Sequence, residues 1–422
     1  MSIPKLRFKA DDGSGFPEWE EKRLGDIFGV VTDYVAAGSF ADIANNVKYM
    51  EQPNFAQLIR TVDLKKNFKD NSPVFVDEHA FNYLWRVNLN KESIVMPNVG
   101  NVGEVYYIHP KMFLTQNNVL GPNAILLGTK EVTIFWASYL QTNNFQKKLR
   151  LIVSTGAQPK FNKTELRHIK IYRPCLEEQR KIASFLSMID DIITATEAEL
   201  TAWEERKKGV MQKIFNREVR FKANDGSEFS EWEEKKLGDV TNRLIRRNKN
   251  IFSDIPLTIS ATYGLIDQRE YFNKTVAAQD LSNYYLLQKG EFAYNRSSSA
   301  GYDFGVIKRL DTYECGAVST LYICFSIEEN SNVYSDYLSA YFNSNAWNKY
   351  AASVCAEGAR NHGLLNISIE DFFGMPVLLP SLPEQKKIAD CLSSLDDVVN
   401  QIQAELSAWK EFKKGLLQQM FV

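Results

Sequence analysis

The side chains of this 422-residue chain best suited to recognition are amides, hydroxyls and cations gathered in short loops, and none is spaced for catalysis. Asn, Gln, Arg, Lys and Ser are the residue types that reach base edges and phosphates. Pro97-Asn98-Val99-Gly100-Asn101-Val102-Gly103 lies between strand-like Ile94–Met96 and Glu104–Ile108. Asn295-Arg296-Ser297-Ser298-Ser299-Ala300-Gly301 lies between strand-like Glu291–Tyr294 and Phe304–Ile307. A second pair of loops holds Gln158 and Lys160 (Ser154–Lys160) and Arg360 and Asn361 (Glu357–His362). Each follows a short helix-like stretch, Asn144–Leu149 or Ala346–Ala351, and precedes a strand-like one, Ile169–Tyr172 or Pro376–Leu379. Two basic clusters, Lys65-Lys66-Asn67-Phe68-Lys69 and Arg243-Leu244-Ile245-Arg246-Arg247-Asn248-Lys249, add cations able to hold phosphate or pair with guanine. The candidate contact residues are therefore Lys65, Lys66, Lys69, Asn98, Asn101, Gln158, Lys160, Arg243, Arg246, Arg247, Asn295, Arg296, Ser297, Ser298, Arg360 and Asn361. The same residues would also serve plain hairpin turns or solvated faces, so the loops need a frame that makes sense of them.

Catalytic signatures are missing. There is no G-x-x-x-x-G-K-[ST] phosphate loop and no G-x-G-x-x-G opening a helix. No Pro-Pro dipeptide occurs, which excludes an N-P-P-[FY] base-methylating motif. Glu20-Glu21-Lys22 resembles part of a nuclease signature, but it recurs as Glu233-Glu234-Lys235 inside a repeated framework and reads as structural. The five cysteines form no C-x-x-C pair and the four histidines are scattered, so neither a metal site nor a disulfide framework is expected and a reducing cytoplasm fits. The start of the chain lacks the apolar run of a signal peptide, and no stretch reaches the roughly 18 apolar residues of a membrane span. With a net charge of −2, any nucleic-acid surface must be local or completed by a partner.

The frame is an internal repeat. Arg7–Ile27 (RFKADDGSGFPEWEEKRLGDI) returns as Arg220–Val240 (RFKANDGSEFSEWEEKKLGDV). Pro174–Phe215 returns, without a gap, as Pro380–Phe421. The blocks between them, about Asp26–Arg173 and Asp239–Leu379, do not align convincingly; their Val, Ile, Tyr, Phe and Thr runs, broken by Gly, Asn and Pro, read as small strands with short helices. Kept framework and divergent blocks suggest one structural role and two ligand preferences. Trp19 and Trp232 read as packed residues beside buried Leu24 and Leu237. The repeat is also circular: the residues after Phe215, Asn216–Phe221, have their counterpart at the start of the chain, Ile3–Phe8, so adjacent termini and a pseudo-two-fold body are expected.

The long repeats carry apolar residues at steps of three and four: Ile182, Phe185, Ile189, Ile192, Thr196, Leu200, Trp203, Val210 and Ile214, then Ile388, Cys391, Leu395, Val398, Ile402, Leu406, Trp409, Phe412, Leu416 and Met420. Each predicts a helix of about 35–40 residues, roughly 55–60 Å long, starting at Leu176 and Leu382, with Glu177, Glu178 and Glu384 suiting the positive end of its dipole. Such helices need a partner, and the cheapest is the other copy, antiparallel. Eight acids and six bases in Leu176–Phe215, and six acids and five bases in Leu382–Val422, exclude a basic-region DNA helix. Ile182, Ile189, Leu200, Trp203, Ile388, Leu395, Leu406 and Trp409 are the expected packing and partner-docking positions. The expected architecture is α+β: a first recognition domain (1–174), a first helix (175–218), a second recognition domain (219–379) and a second helix (380–422).

Two unlike domains, each followed by a P-x-L-x-E-Q-x-x-I-A helix (Pro174, Leu176, Glu178, Gln179, Ile182, Ala183; Pro380, Leu382, Glu384, Gln385, Ile388, Ala389), together with the paired Trp-Glu-Glu-Lys-x-Leu-Gly-Asp segments, resemble the specificity subunits of Type I restriction–modification systems over essentially the whole chain. The resemblance implies a non-catalytic chain. Each block would read half of a split double-stranded DNA target, and the helices would set the gap. Two methyltransferase subunits would bring S-adenosylmethionine. Two restriction subunits would bring ATP and Mg. This chain would bind none of these cofactors. A modification-only complex, or an adaptor whose blocks bind proteins, are the alternatives.

Overall fold

The computed structural model describes residues 4–68, 72–113, 115–154, 156–272, 280–297, 301–344, 346–355, 365 and 367–421. It divides into two compact units, Met1–Glu197 with Glu405–Val422, and Ala198–Ala404. The long helices span Leu176–Phe215 and Leu382–Met420, 40 and 39 residues, so each gives its first half to one unit and its last half to the other. Gly209 and Gly415 do not interrupt them; a Cβ at either would meet nothing within 4 Å.

In the first unit, Glu20–Arg23 pairs antiparallel with Lys170–Arg173. The Leu-Gly-Asp turn after this strand divides three tasks among three residues. Leu24 is fully buried, Asp26 Oδ2 accepts from the Arg23 backbone N–H at 3.2 Å, and Gly25 lets the backbone approach the Lys163–His168 helix, where a Cβ would sit 3.1 Å from Arg167 Cβ. A four-stranded antiparallel sheet comes next, in the spatial order Val30–Asp33, Ala124–Gly128, Ser93–Pro97, Tyr106–Ile108. A separate three-stranded sheet sets Ala56–Ile59 between Val74–Val76 and the parallel Asn118–Leu120.

The second unit repeats the frame. Glu233–Lys236 pairs with Pro376–Leu379, Leu237 is fully buried, Asp239 accepts from Lys236 N–H at 3.1 Å, and a Cβ on Gly238 would sit 3.2 Å from the Phe373 carbonyl oxygen. Its four-stranded sheet runs Thr241–Leu244, Ile323–Ile327, Phe292–Asn295, Val306–Arg309, all antiparallel. This is the connectivity of the first unit, recovered where the two blocks share no readable sequence. The outer parts differ: here two-stranded ribbons, Leu257–Ser260 with Gly264–Asp267 and Tyr285–Gln288 with Cys315–Val318, replace the three-stranded sheet.

Inside each unit the two helix segments run antiparallel. Lys413 pairs with Asp190 and Lys410 with Glu197 in the first; Lys207 pairs with Asp396, the repeat mates of Lys413 and Asp190, in the second. The apolar seam follows the expected one at Ile182, Ile189, Thr196, Ile214, Ile388, Ile402, Leu406, Leu416 and Met420, which are buried, but it is broader at the helix starts and incomplete further on. Ile182, Ala183, Leu186 and Ile189 are buried, and likewise Ile388, Ala389 and Leu392, whereas Ile192 and Phe412 are exposed. The early turns face their unit's sheet core as well as the partner helix, which widens the buried stripe to include Ala183, Leu186, Ala389 and Leu392. Of the expected packing positions, Ile182, Ile189, Ile388 and Leu406 are buried; Leu200, Trp203, Leu395 and Trp409 are half-buried.

The circular character of the repeat is visible in the cores. Phe421, ending the second helix, sits among Trp19, Phe135 and Tyr139 of the first unit, with ring centroids 5.4–6.3 Å away. Phe215, ending the first helix, sits 5.9 Å from Tyr337 and 5.6 Å from Tyr341 in the second. The termini are adjacent, as expected: Leu6 N–H donates to the Gln419 carbonyl at 3.0 Å. The equivalent bond in the second unit, Val219 N–H to the Lys213 carbonyl at 3.2 Å, lies within continuous chain.

Candidate nucleic-acid interface

The frame is locked by its most repeated residues. Arg7 donates bidentately to Glu178, Nε to Oε1 at 2.9 Å and Nη2 to Oε2 at 2.8 Å, and Trp19 Nε1 donates to Oε2 at 3.0 Å. Arg220 grips Glu384 in the same way, at 3.3 and 3.0 Å. Both glutamates are fully buried, so they do not merely suit a helix dipole as expected from sequence; they hold the start of each repeat to the start of a long helix. The carboxylate partner in turn raises the pKa of each guanidinium above its ordinary value. Gln179, also buried, donates Nε2 to the Pro174 carbonyl at 3.0 Å and to Glu131 at 2.8 Å, while its Oε1 accepts from Val132 N–H at 3.4 Å. Gln385 repeats this with the Pro380 and Asn332 carbonyls (2.8 and 3.1 Å) and Tyr334 N–H (2.7 Å). The Glu-Gln pair thus fastens strand, block and helix at one point.

From this fixed base each four-stranded sheet carries a hairpin outward, and the expected strand–loop–strand pattern is present in both units. The structure brings the first unit's candidate loops together. Asn98 accepts from Phe161 N–H at 3.1 Å, Gly100 N–H donates to the Pro159 carbonyl at 2.9 Å, and Val99 bridges to Lys160. The loop after Pro97 and the loop ending at Lys160 therefore form one surface, on which Asn101, Gln158 and Lys160 are exposed. Lys65 reaches the same hairpin through Glu104, at 3.6 Å, and exposed Lys66 is its neighbour at the end of a helix. Asn98 differs from these: it is half-buried and its Nδ2 donates to the Phe161 carbonyl at 3.3 Å.

The second unit makes the corresponding stitch. Arg296 accepts from Leu365 N–H at 2.9 Å, and its guanidinium donates to the Ile367 and Leu321 carbonyls at 3.4 and 3.3 Å. Asn295 Oδ1 accepts from the N–H of exposed Ser297 at 3.1 Å. The basic cluster does not join them. Arg246 pairs with Glu291 at 2.7 Å, at the opposite end of the hairpin strand from the loop, and Arg247 lies over the Tyr285 ring, 4.9 Å from its centroid. Arg243 is exposed on the first strand of the sheet. Lys69, Ser298, Arg360 and Asn361 lie outside the described residues. Among the described residues no group of three His, Cys, Asp or Glu is placed to hold a metal, and no helix is long and apolar enough to cross a membrane.

Sequence reasoning missed the Arg7–Glu178–Gln179 lock, although its signal was present: these residues recur unchanged in the second copy as Arg220, Glu384 and Gln385. It also missed the shared sheet order, which rests on hydrogen-bond register rather than on residue identity.

Twin units, each with a divergent sheet domain fastened to crossed halves of two long helices, define a duplicated recognition scaffold. The Type I restriction modification DNA specificity domain matches residues 17–202 and again 229–408, and the chain belongs to that family. A putative type I restriction enzyme MjaX specificity subunit of Methanocaldococcus jannaschii is 27% identical over 248 residues, 55% of this chain and 55% of that protein, so this match spans about half of each. The type I restriction enzyme MjaVIII specificity subunit of the same organism is 24% identical over 443 aligned positions, covering 97% of this chain and 94% of the relative. The fold is also that of the crystal structure of the Type-I restriction-modification system S subunit from M. genitalium (TM-score 0.56, 14% identity, 100% and 99% of the two chains). A chain from a type I R-M system studied for complex assembly and conformational transition is similar too (TM-score 0.53, 13% identity, 96% and 98%).

Proposed function

We propose that this chain is the sequence-reading subunit of a Type I restriction–modification complex, and that each unit reads one half of a split double-stranded DNA target. The observation that carries this is the surface formed by the joined loops of the first unit, on a sheet fastened by the same Arg–Glu pair and Gln as the sheet of the second, where the hairpin is tied through Arg296 to Leu365 and the exposed residues differ. Asn101, Gln158 and Lys160 in the first unit, and Asn295 and Ser297 in the second, are the side chains offered for base and phosphate contacts, with Lys65 and Lys66 at the first unit's flank and Arg243 exposed on the first strand of the second unit's sheet. Arg246 and Arg247 serve packing first. The chain has no catalytic role. Two methyltransferase subunits dock on it and supply S-adenosylmethionine; two restriction subunits supply ATP- and Mg-dependent cleavage, and all of this takes place in the cytoplasm.

The long helices act as the ruler. Half-sites on one DNA face lie about one helical turn, roughly 34 Å, apart, and helices of about 55–60 Å cover that span. The test is methylome sequencing of cells with and without the gene for this chain. Loss of one split adenine-methylation motif is expected, and an unchanged methylome overturns the proposal. Deleting one helical turn from each long helix should alter the unread gap or abolish modification; an unaltered target removes the ruler role.

A further inference from the structure

The helix Asn143–Arg150 of the first unit is bonded to both loops of the candidate surface. Gln146 Nε2 donates to the Gly103 carbonyl at 2.9 Å, at the far end of the hairpin loop. Just past the helix, Ser154 N–H donates to the Lys160 carbonyl at 2.9 Å, and Lys160 bridges to Val99. Phe145 and Leu149, four residues apart, are buried in the unit's core. The opposite face carries Lys147, Arg150 and Leu151, at the i, i+3, i+4 spacing that makes helical side chains neighbours. Leu151 shares this face because its backbone is still helical, with φ −68° and ψ −22°.

An amphipathic helix puts polar residues on its outer face. Leu151 breaks that rule: at 85% exposure it is the most exposed large hydrophobic side chain among the described residues. Its surroundings are cationic. From Val132 to Thr164 the sequence has no Asp or Glu and five Lys or Arg. Lys163 pairs with Asp33, and Lys148 donates to the Lys170 carbonyl. Lys147, Arg150 and Lys160 are exposed, and their side chains are unpaired among the described residues. An apolar group set among unpaired cations on a helix fits the major groove, which admits a helix and where thymine methyl groups stand between two rows of phosphate.

The second unit lacks this arrangement. Trp347 and Ala351, buried four residues apart, match Phe145 and Leu149, so Lys349, Ala352 and Ser353 take the places of Lys147, Arg150 and Leu151. The Ser353 hydroxyl donates to the Tyr350 carbonyl at 2.7 Å.

Resting on the recognition reading proposed for this chain, we infer that Leu151 is a specificity-determining residue that packs against the C5 methyl of one thymine in the half-site of the first unit, with Lys147 and Arg150 on the flanking phosphates. Ser353 makes no such contact in the other half-site. Deoxyuridine pairs as thymine does and lacks only that methyl, so the contact can be removed from the DNA or from the protein.

The experiment uses the full chain with its methyltransferase partners and duplexes carrying the split motif found by methylome sequencing. Each thymine is replaced in turn by deoxyuridine, and dissociation constants are measured for wild type, Leu151→Ala, Leu151→Met, Ser353→Ala and Arg150→Ala. For wild type, one replacement in one half-site should weaken binding about fourfold, the contribution of one buried methyl group. Leu151→Ala should bind the thymine duplex more weakly by at least that factor, and the same replacement should then cost nothing further. Leu151→Met and Ser353→Ala should keep the wild-type pattern. Arg150→Ala should keep the thymine dependence and make the slope of log K against log salt shallower by about one. The inference is overturned if no thymine methyl depends on Leu151, if Leu151→Ala loses its methyltransferase partners on gel filtration, or if the Arg150→Ala slope equals that of wild type. A wild-type methylome without a split motif overturns the recognition reading itself, whereas a split motif with no Leu151-dependent thymine overturns this inference alone.

Discussion

The two locks use the same charged residues but different surroundings. Glu178 is held by Arg7 and also by Trp19 Nε1; among the described residues Glu384 is held by Arg220, and Trp232 Nε1 is buried without a hydrogen-bond partner. Trp232 is nonetheless the better buried of the two, packed 6.4 Å from Tyr337. The first unit has kept the indole as a donor, and the second keeps it as bulk. Sequence identity at the motif thus does not imply the same bonding, and the duplicated chain provides an internal control for what each bond contributes.

That contrast can be broken most severely at the arginines. Removing one partner of a buried pair leaves an uncompensated charge and costs about 3–5 kcal/mol. Arg220→Ala should therefore destabilise the second unit, and by more than Arg7→Ala destabilises the first, because Glu178 keeps its indole donor. Hydrogen exchange read on peptides from each unit measures both, and equal losses would cancel the distinction. Next in size are the tryptophans. Trp19→Phe removes a hydrogen bond to a charged group, worth about 1.5–3 kcal/mol, whereas Trp232→Phe removes an unpartnered N–H and should cost far less. Denaturant melts of the two variants, if superimposable, would show that the indole bond contributes nothing.

A smaller effect separates the hairpins. Tyr106 in the first unit is replaced at the same register position by Lys308, whose ammonium donates to Asn343 Oδ1 at 2.6 Å. Burial pushes the Lys308 pKa down to about 8 from 10.5. The unfolded chain then binds more protons between those values, so the penalty for this side chain is fully present below pH 8 and disappears as pH rises to 10.5. Lys308→Met should raise the melting temperature at pH 7, with the gain shrinking across that window. A pH-independent gain would assign it to packing. The least effect belongs to the helix ion pairs: Asp190→Asn and Asp396→Asn remove half-exposed partners and should each cost under about 1 kcal/mol, reduced further by salt in a salt-titrated melt.

Much of this frame was legible because its residues repeat. Helix starts at Leu176 and Leu382, the burial of Leu24 and Leu237, and the adjacency of the termini follow from periodicity and from the circular offset of the copies. The buried role of Glu178 was not legible, because a glutamate in a first helical turn has an ordinary explanation in the dipole, and only the arrival of Arg7 from 171 residues away replaces it. The convergence of Asn98 with Phe161 was hidden for the same reason: backbone hydrogen bonds leave no mark on residue type. Loop composition picked out two loops that meet in the first unit, but it could not separate exposed Asn101 from committed Asn98, nor Arg243 from Arg246, since partnering is set by register and not by side-chain chemistry.

The bond between Leu6 and Gln419 has a consequence for the order in which the chain can be connected. The first unit makes between the two ends of the polypeptide the same contact that the second makes within unbroken chain, Val219 to Lys213. The fold is therefore indifferent to which of these two seams is cut. A chain opened between Phe215, which must stay with its core, and Val219, with the residues on either side of the Leu6–Gln419 bond joined, should fold to the same two units in reversed order.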